Sequence, residues 1–318
     1  MTTEKSDTWL VADIGGTNAR FAWAVDGRPG TPVRLSVADH EDFEAALAVA
    51  LEALPDREGP YDIAIAAAGP VTDGRVAMTN APWTIDQANL SQRDDVRSAR
   101  VINDFQAIAM ALPRLKAEDR SFIDAVPAPE GPARPMLVIG PGTGLGMALS
   151  IPDRNGGWLP VATEGGHAEL AGSIVASEIG DAIRRMVGEP AVAEDILCGG
   201  GLVRVHEAHG GSPIGYASAV VDAAREGDPT ARAAVRFFLT ALGGFAGDAA
   251  LQTGAFGGVY LAGGVMTALA DAGLFNVSTF RTAFVHKKSY REIMTAIPVA
   301  RIIHPEPALL GLAAHIPL

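Results

Sequence analysis

The chain is poor in cysteine, in positive charge and in long apolar runs. Its 318 residues hold one cysteine, Cys198. A single thiol can form neither an internal disulfide nor a multi-cysteine zinc site. Basic residues number 25 against 37 acidic ones, a net charge of −12. A surface this acidic repels phosphate backbones and anionic lipid, so neither nucleic acid nor a membrane surface is expected as a partner. A local pocket lined by amides can still bind an anion. Apolar stretches such as Ile63–Ala68 are far too short to span a bilayer. The stretch Met1–Thr8 is polar and carries Glu4 and Asp7, so it does not read as a signal peptide. A cytoplasmic protein is expected. Charged residues are only 19% of the chain and hydrophobic ones 48%, enough apolar material for a core. At roughly 150 residues per domain, the length suits one large or two ordinary domains.

Glycine is plentiful instead, at 36 residues against a usual share of roughly 7%. The glycines cluster at Gly15-Gly16, Gly140 to Gly146, Gly165-Gly166, Gly199 to Gly201 and Gly263-Gly264. Each cluster follows an apolar run, the arrangement that brings backbone close to a ligand. Any one of them alone reads as a turn. Apolar runs at Trp9–Ile14 and Arg20–Val25 predict a hairpin joined by Gly-Gly-Thr-Asn, with a third strand at Thr31–Val37. Phe43, Leu47, Leu51 and Leu54 recur at helical spacing, and Tyr61–Ala68 reads as a buried strand. Arg100–Ile102 predicts a strand and Phe105–Leu112 the helix after it. The polar segment 114–134, with Pro127, Pro129 and Pro132, reads as a domain boundary. A second strand, glycine hairpin and strand then begins at Met136. Helices are expected at Ile174–Val187, Leu202–His209, Ala217–Glu226 and Pro229–Leu251. A strand at Val259–Ala262, a helix after Gly264, a strand at Val299–Ile303 and a helix at Pro307–His315 follow. The repeat of the hairpin pattern suggests two related α/β lobes with a cleft between them.

Six segments carry candidate chemistry. In Asp13-Ile14-Gly15-Gly16-Thr17-Asn18-Ala19-Arg20 a tight hairpin exposes amides that can cradle phosphate. Asp13 can hold Mg²⁺ through water. There is no Gly-Lys-Ser/Thr after it, so it is not a Walker loop. The alternative is an ordinary hairpin with a structural aspartate. In Val101-Ile102-Asn103-Asp104-Phe105 a strand delivers two polar residues at its carboxyl end, where α/β folds place their chemistry. Asp104 can take a proton from an alcohol while Asn103 fixes the same substrate. Alternatively either residue caps the helix. Thr163-Glu164-Gly165-Gly166-His167 sets acceptors and a donor in one turn, suited to a ligand with several hydroxyls, or is a surface turn. Glu194-Asp195-Ile196-Leu197-Cys198-Gly199-Gly200-Gly201 offers acids in a short helix, which the glycine triplet is expected to end. Gly140 to Gly146 is a second candidate phosphate hairpin. Gly258 to Val265 is an apolar strand ending in Gly-Gly, able to lie under a purine ring or to pack a helix closely.

In order and spacing these segments resemble the bacterial glucokinases of the actin, hexokinase and heat-shock ATPase superfamily, from Val11 nearly to the end. The resemblance implies an α/β fold of two ribonuclease-H-like lobes with an interlobe cleft, a small lobe of residues 1–113 plus about 300–318 and a large lobe of 114–299. It implies phosphorylation of D-glucose at O6 by ATP with Mg²⁺, feeding glycolysis, in a cytoplasmic homodimer. Asp104 resembles the catalytic base. Asn103, Glu164, His167 and Glu194, with Asn80 in a sugar-proximal loop, resemble the hexose ligands. Ala12, Asp13, Ile14, Gly15, Gly16 and Thr17 look like the first phosphate loop, with Asp13 holding the metal through water. Gly142, Thr143 and Gly144 look like the second, and Gly263 and Gly264 the adenosine segment. Ala12 stands where the family pattern has glycine. The neighbouring family of repressors and sugar kinases carries a cysteine-rich zinc motif after the histidine; with only Cys198, this chain matches it poorly. A kinase for another hexose, and an inactive sugar sensor of the same fold, stay open at this point.

Overall fold

The computed structural model describes residues 8–57, 60–78, 81–127, 130–169 and 177–314. The chain divides into two compact units. One comprises residues 1–116, 158–162 and 304–318; the other comprises 117–157 and 163–303.

The first unit is built on strands β1 (Thr8–Ile14), β2 (Asn18–Val25), β3 (Arg28–Pro29), β4 (Val33–Ser36), β5 (Tyr61–Ala67) and β8 (Val96–Asn103). The sheet order is β3-β2-β1-β5-β8, with β4 also pairing β2. The short strands β6 (Arg75–Ala77) and β7 (Thr84–Asp86) pair separately. Alternation along β1 explains its double burial. Leu10, Ala12 and Ile14 enter one core with Phe21, Phe43, Leu47 and Trp83. Val11 enters the other, with Ala64, Ile102 and Met110. Helix α1 (Phe43–Ala53) is N-capped by Asp42, which accepts from the Ala45 amide at 2.8 Å. The short helix α2 (Gln87–Leu90) precedes β8, and α3 (Asp104–Ala111) follows it.

The parallel register sets the positions of the candidate residues. Ile14 pairs with Ala67, and Ala67 with Asn103. The carboxyl ends of β1, β5 and β8 are therefore level, and Asp13 and Asp104 stand at the same edge of this sheet. The final helix, Pro307–Ala314, lies on α3, with Leu309 and Leu312 in the second core. Gly311 makes that approach possible, since a Cβ there would overlap the Ala107 carbonyl.

The second unit repeats the pattern. Strands β9 (Arg120–Phe122), β10 (Met136–Pro141), β11 (Leu145–Pro152), β13 (Gly258–Leu261) and β14 (Val299–Ile302) run in the order β11-β10-β13-β14-β9. As in the first unit, an antiparallel hairpin is followed by two parallel partners. The strand β12 (Trp158–Thr163) straddles the division between the units. Helices occupy Glu178–Val187, Gly199–Ala208, Ala217–Glu226, Pro229–Thr253, Gly264–Asp271, Val277–Val285 and Arg291–Thr295.

Two expectations change. The segment 114–134 is not only a boundary: β9 lies within it and pairs with β14. A three-residue edge strand is too short to show alternation. The glycine triplet opens a helix rather than ending one. Cys198 caps Gly199–Ala208, its sulfur accepting from the Gly201 amide at 3.2 Å. Glycine is needed at 201 because a Cβ would overlap the Ile196 backbone. Pro229–Thr253 has the length and composition of a membrane span. Its Phe238, Leu239, Leu242 and Ala246 are buried, and Gly243 and Gly247 meet the Phe280 and Phe284 carbonyls of a neighbouring helix. It is the core helix of the second unit.

Candidate active site

In the first unit, Gly15-Gly16-Thr17 turns the chain from β1 to β2. The Gly15 amide donates to the Asn18 carbonyl at 2.9 Å, and the Val37 amide to the Thr17 carbonyl at 2.9 Å. These bonds fix the hairpin against β4. Asp13 stands just before it, with a side chain only 17% exposed. Its Oδ2 accepts from Arg20 Nη1 at 3.1 Å. Burial pushes the Asp13 carboxyl up to about 6, with Arg20 opposing the shift and Glu306 adding to it.

Asn103 and Asp104 resolve one of the alternatives left by the sequence. Asn103 is the helix cap. Its Oδ1 accepts from the amides of Phe105 at 2.9 Å and Gln106 at 3.2 Å, and its Nδ2 donates to the Gly69 carbonyl at 3.1 Å. Asp104 is the first residue of α3, half-buried, with Oδ1 2.9 Å from the Phe105 amide.

In the second unit, four candidate segments come together. The hairpin Gly142-Thr143-Gly144 closes with a bond from the Gly142 amide to the Gly144 carbonyl, 2.8 Å. The Gly199 amide reaches back to the Gly142 carbonyl, also 2.8 Å. Glu194 lies in the 3₁₀ turn Ala193–Asp195 and accepts from the Leu145 amide through Oε2 at 2.6 Å. A side chain at Gly144 would sit 2.5 Å from that same oxygen. One oxygen of Glu194 is thus held on the second hairpin. The turn carrying Glu164 and His167 is closed by the His167 amide on the Glu164 carbonyl at 3.0 Å. It joins the Glu194 turn through the Ala193 amide on the Ala168 carbonyl at 2.9 Å. Glu164 and His167 are exposed. Gly263 has φ +92°, and a Cβ there would overlap the Pro141 carbonyl, so this segment lies against the base of the same hairpin. Gly264 opens the helix Gly264–Asp271. Asn80 lies outside the described residues.

Sequence reasoning missed the partners of Asp13. Glu306 faces Arg20 Nε through Oε2 at 3.0 Å and pairs with Arg34 through Oε1. Arg20 was visible in the first motif. Glu306, almost three hundred residues away, carried no local signal.

The sequence profile of the glucokinase family matches residues 10–317. The chain belongs to the glucokinase family. The Paramagnetospirillum magneticum glucokinase is 36% identical over 312 residues, covering 96% of each chain. The Marinobacter nauticus glucokinase is 37% identical over 319 residues, covering 96% of this chain and 95% of that one. The crystal structure of a glucokinase from an Antarctic psychrotroph superposes with a TM-score of 0.83 at 28% identity, covering 98% of both chains. The fold is accordingly the α/β fold of the actin-like ATPase and hexokinase superfamily, and glucokinase membership extends over both units.

Proposed function

We propose that the chain transfers the γ-phosphoryl group of ATP to O6 of D-glucose, giving ADP and glucose 6-phosphate. The observation that carries this reading is the family match over residues 10–317, which takes in every motif described above. Asp104 is assigned the proton at O6. Its position at the carboxyl end of β8, beside a helix cap that Asn103 supplies, supports that role. Glu164, His167 and Glu194 are assigned the sugar hydroxyls, each of which needs a partner once it leaves water. Glu194 Oε2 already holds the second hairpin, so Oε1 would serve the sugar. Asn103 keeps one Nδ2 hydrogen beyond its bond to Gly69, and Asn80 belongs to the same proposal.

The two glycine hairpins suit the phosphates of ATP, and Gly263-Gly264 the adenosine. Glycine at 144 and 263 allows close packing, since a Cβ would meet the Glu194 carboxylate at the first and the Pro141 carbonyl at the second. Among the described residues no three His, Cys, Asp or Glu side chains cluster as a metal cage. That fits Mg²⁺, which keeps most of its waters and binds through one or two carboxylates plus substrate phosphates. Asp13 is the carboxylate that would hold it. Bound metal supplies neutralisation of charge on the transferring phosphoryl oxygens. Asp104 would take the O6 proton onto its carboxylate, and the hairpin amides would orient the phosphates. Cytoplasmic placement and a homodimer belong to the same reading, and sedimentation tests the latter.

An acceptor panel tests the activity. ADP release is measured with glucose, fructose, mannose and N-acetylated amino sugars, and again with other phosphoryl donors. Glucose with ATP should give the highest kcat/KM. Preference for another hexose would reassign the substrate, and no turnover with any sugar would leave a sugar-binding protein.

A further inference from the structure

A chain of alternating charges runs back from Asp13 across the first sheet. The antiparallel registers place Asp13 opposite Arg20 and Arg20 opposite Arg34. Residues directly opposite point to one face, and two like charges so placed repel. Glu306 lies between the two arginines, only 7% exposed. Its Oε2 is 3.0 Å from Arg20 Nε, and Oε1 pairs with Arg34. Its backbone is fixed too. The Glu306 amide donates to His304 Nδ1 at 3.1 Å, and its carbonyl accepts from the Leu310 amide at 3.1 Å. The consequence falls on Asp13. A guanidinium beside one carboxylate tends to grip both of its oxygens. Here the Nε edge of Arg20 faces Glu306 as an ion pair without a hydrogen bond, and Arg20 hydrogen-bonds Asp13 through Nη1, at Oδ2.

We propose that Glu306 is a positioning residue of the first phosphate hairpin: it holds Arg20 back so that Oδ1 of Asp13 stays available to a metal-bound water. This rests on the reading of Asp13 as the carboxylate on the metal side. The final helix then serves the site twice. Glu306 precedes it and steadies Asp13, while its body packs on α3, which begins with Asp104.

The test is the affinity for ATP by calorimetry, with and without Mg²⁺, on the whole protein. Glu306→Gln removes the charge that holds Arg20. The affinity gained from Mg²⁺ should fall by about tenfold, the lower end of the range for residues behind a metal ligand. ATP affinity without Mg²⁺ should not change, nor should KM for glucose, while KM for Mg·ATP should rise more than kcat falls. Glu306→Asp keeps the charge but draws it away from Arg20. It should move the gain in the same direction by less, and it serves if the glutamine variant does not fold. A lower melting temperature with the full Mg²⁺ gain retained would make Glu306 structural and overturn the proposal. Asp13→Asn separates the two layers. If it keeps the Mg²⁺ gain, the reading of Asp13 is wrong. If it loses the gain while both Glu306 variants keep it, only the role of Glu306 is wrong.

Discussion

At the scale of single residues, the sequence could not tell which of Asn103 and Asp104 caps the helix. Both are acceptors at a strand end before a helix, and either could cap it. The structure gives the cap to Asn103, whose oxygen accepts two amides. Asp104→Asn should therefore leave the helix intact and lower kcat by about 10²–10⁴, the range for loss of a general base. Glucose affinity should change much less, since the proton moves only on the way to the transition state. Steady-state kinetics with circular dichroism as a fold check decide it, and a kcat within about threefold of wild type would remove Asp104 as the base. Asp13 yields a pH prediction. Its carboxyl is raised from 3.8 to about 6, chiefly by burial. Between those values the folded protein holds a proton that the unfolded chain has lost. Stability from this group is present at low pH, falls as pH rises from about 4 to about 6, and then stays flat. Asp13→Asn removes that dependence. The difference in unfolding free energy, variant minus wild type, should climb through this window by on the order of 2–3 kcal/mol. Urea titrations at pH 4, 5, 6 and 7 without ligand measure it; a flat difference would contradict the shift.

At the scale of elements, local chemistry was legible wherever it was self-contained. The strands β1, β2, β5 and β10 announce themselves by apolar runs ended by glycine or turn residues. The glycine triplet at 199–201 misled because glycine is common after helices and Cys198 is an unusual cap. What sets that helix start is the Ile196 backbone, packed where a Cβ at 201 would be. Strand β9 was missed because its strand character comes from its partner β14 and not from its own three residues. Asn103→Ala should expose the amides of Phe105 and Gln106 and release Gly69, costing about 0.5–2 kcal/mol by denaturant unfolding. A loss of glucose affinity beyond that of a distant variant of equal stability would identify Asn103 as a sugar ligand as well. Gly263→Ala combines φ +92° with an overlap on the Pro141 carbonyl. It should destabilise by at least about 1–3 kcal/mol and raise KM for ATP more than KM for glucose. Equal changes in the two constants would dissociate Gly263 from the nucleotide.

At the scale of the whole molecule, the same topology occurs twice, a hairpin followed by two parallel strands. The first unit needs the chain's far end to complete its core, since Leu309 is fully buried with Val11, Ile102 and Met110. Leu309→Ala should cost about 2–5 kcal/mol. The loss should show first as faster amide exchange in β1, β8 and α3, with β10 and β13 protected as before; uniform acceleration across both units would contradict it. The sequence alone determined the family, the strand–hairpin repeat and the identity of nearly all the candidate residues, because each rests on contiguous residues whose spacing carries the pattern. Only the tertiary structure decided that Asn103 is the cap, that Glu194 clasps the second hairpin at Leu145, and that Glu306 stands behind Arg20 and Asp13. Leu145 and Glu194 are 49 residues apart, Arg34 and Glu306 are 272 apart, and Asn103 and Asp104 are neighbours of similar chemistry. No local periodicity encodes them, because the distance between such groups is set by how the sheets and helices pack.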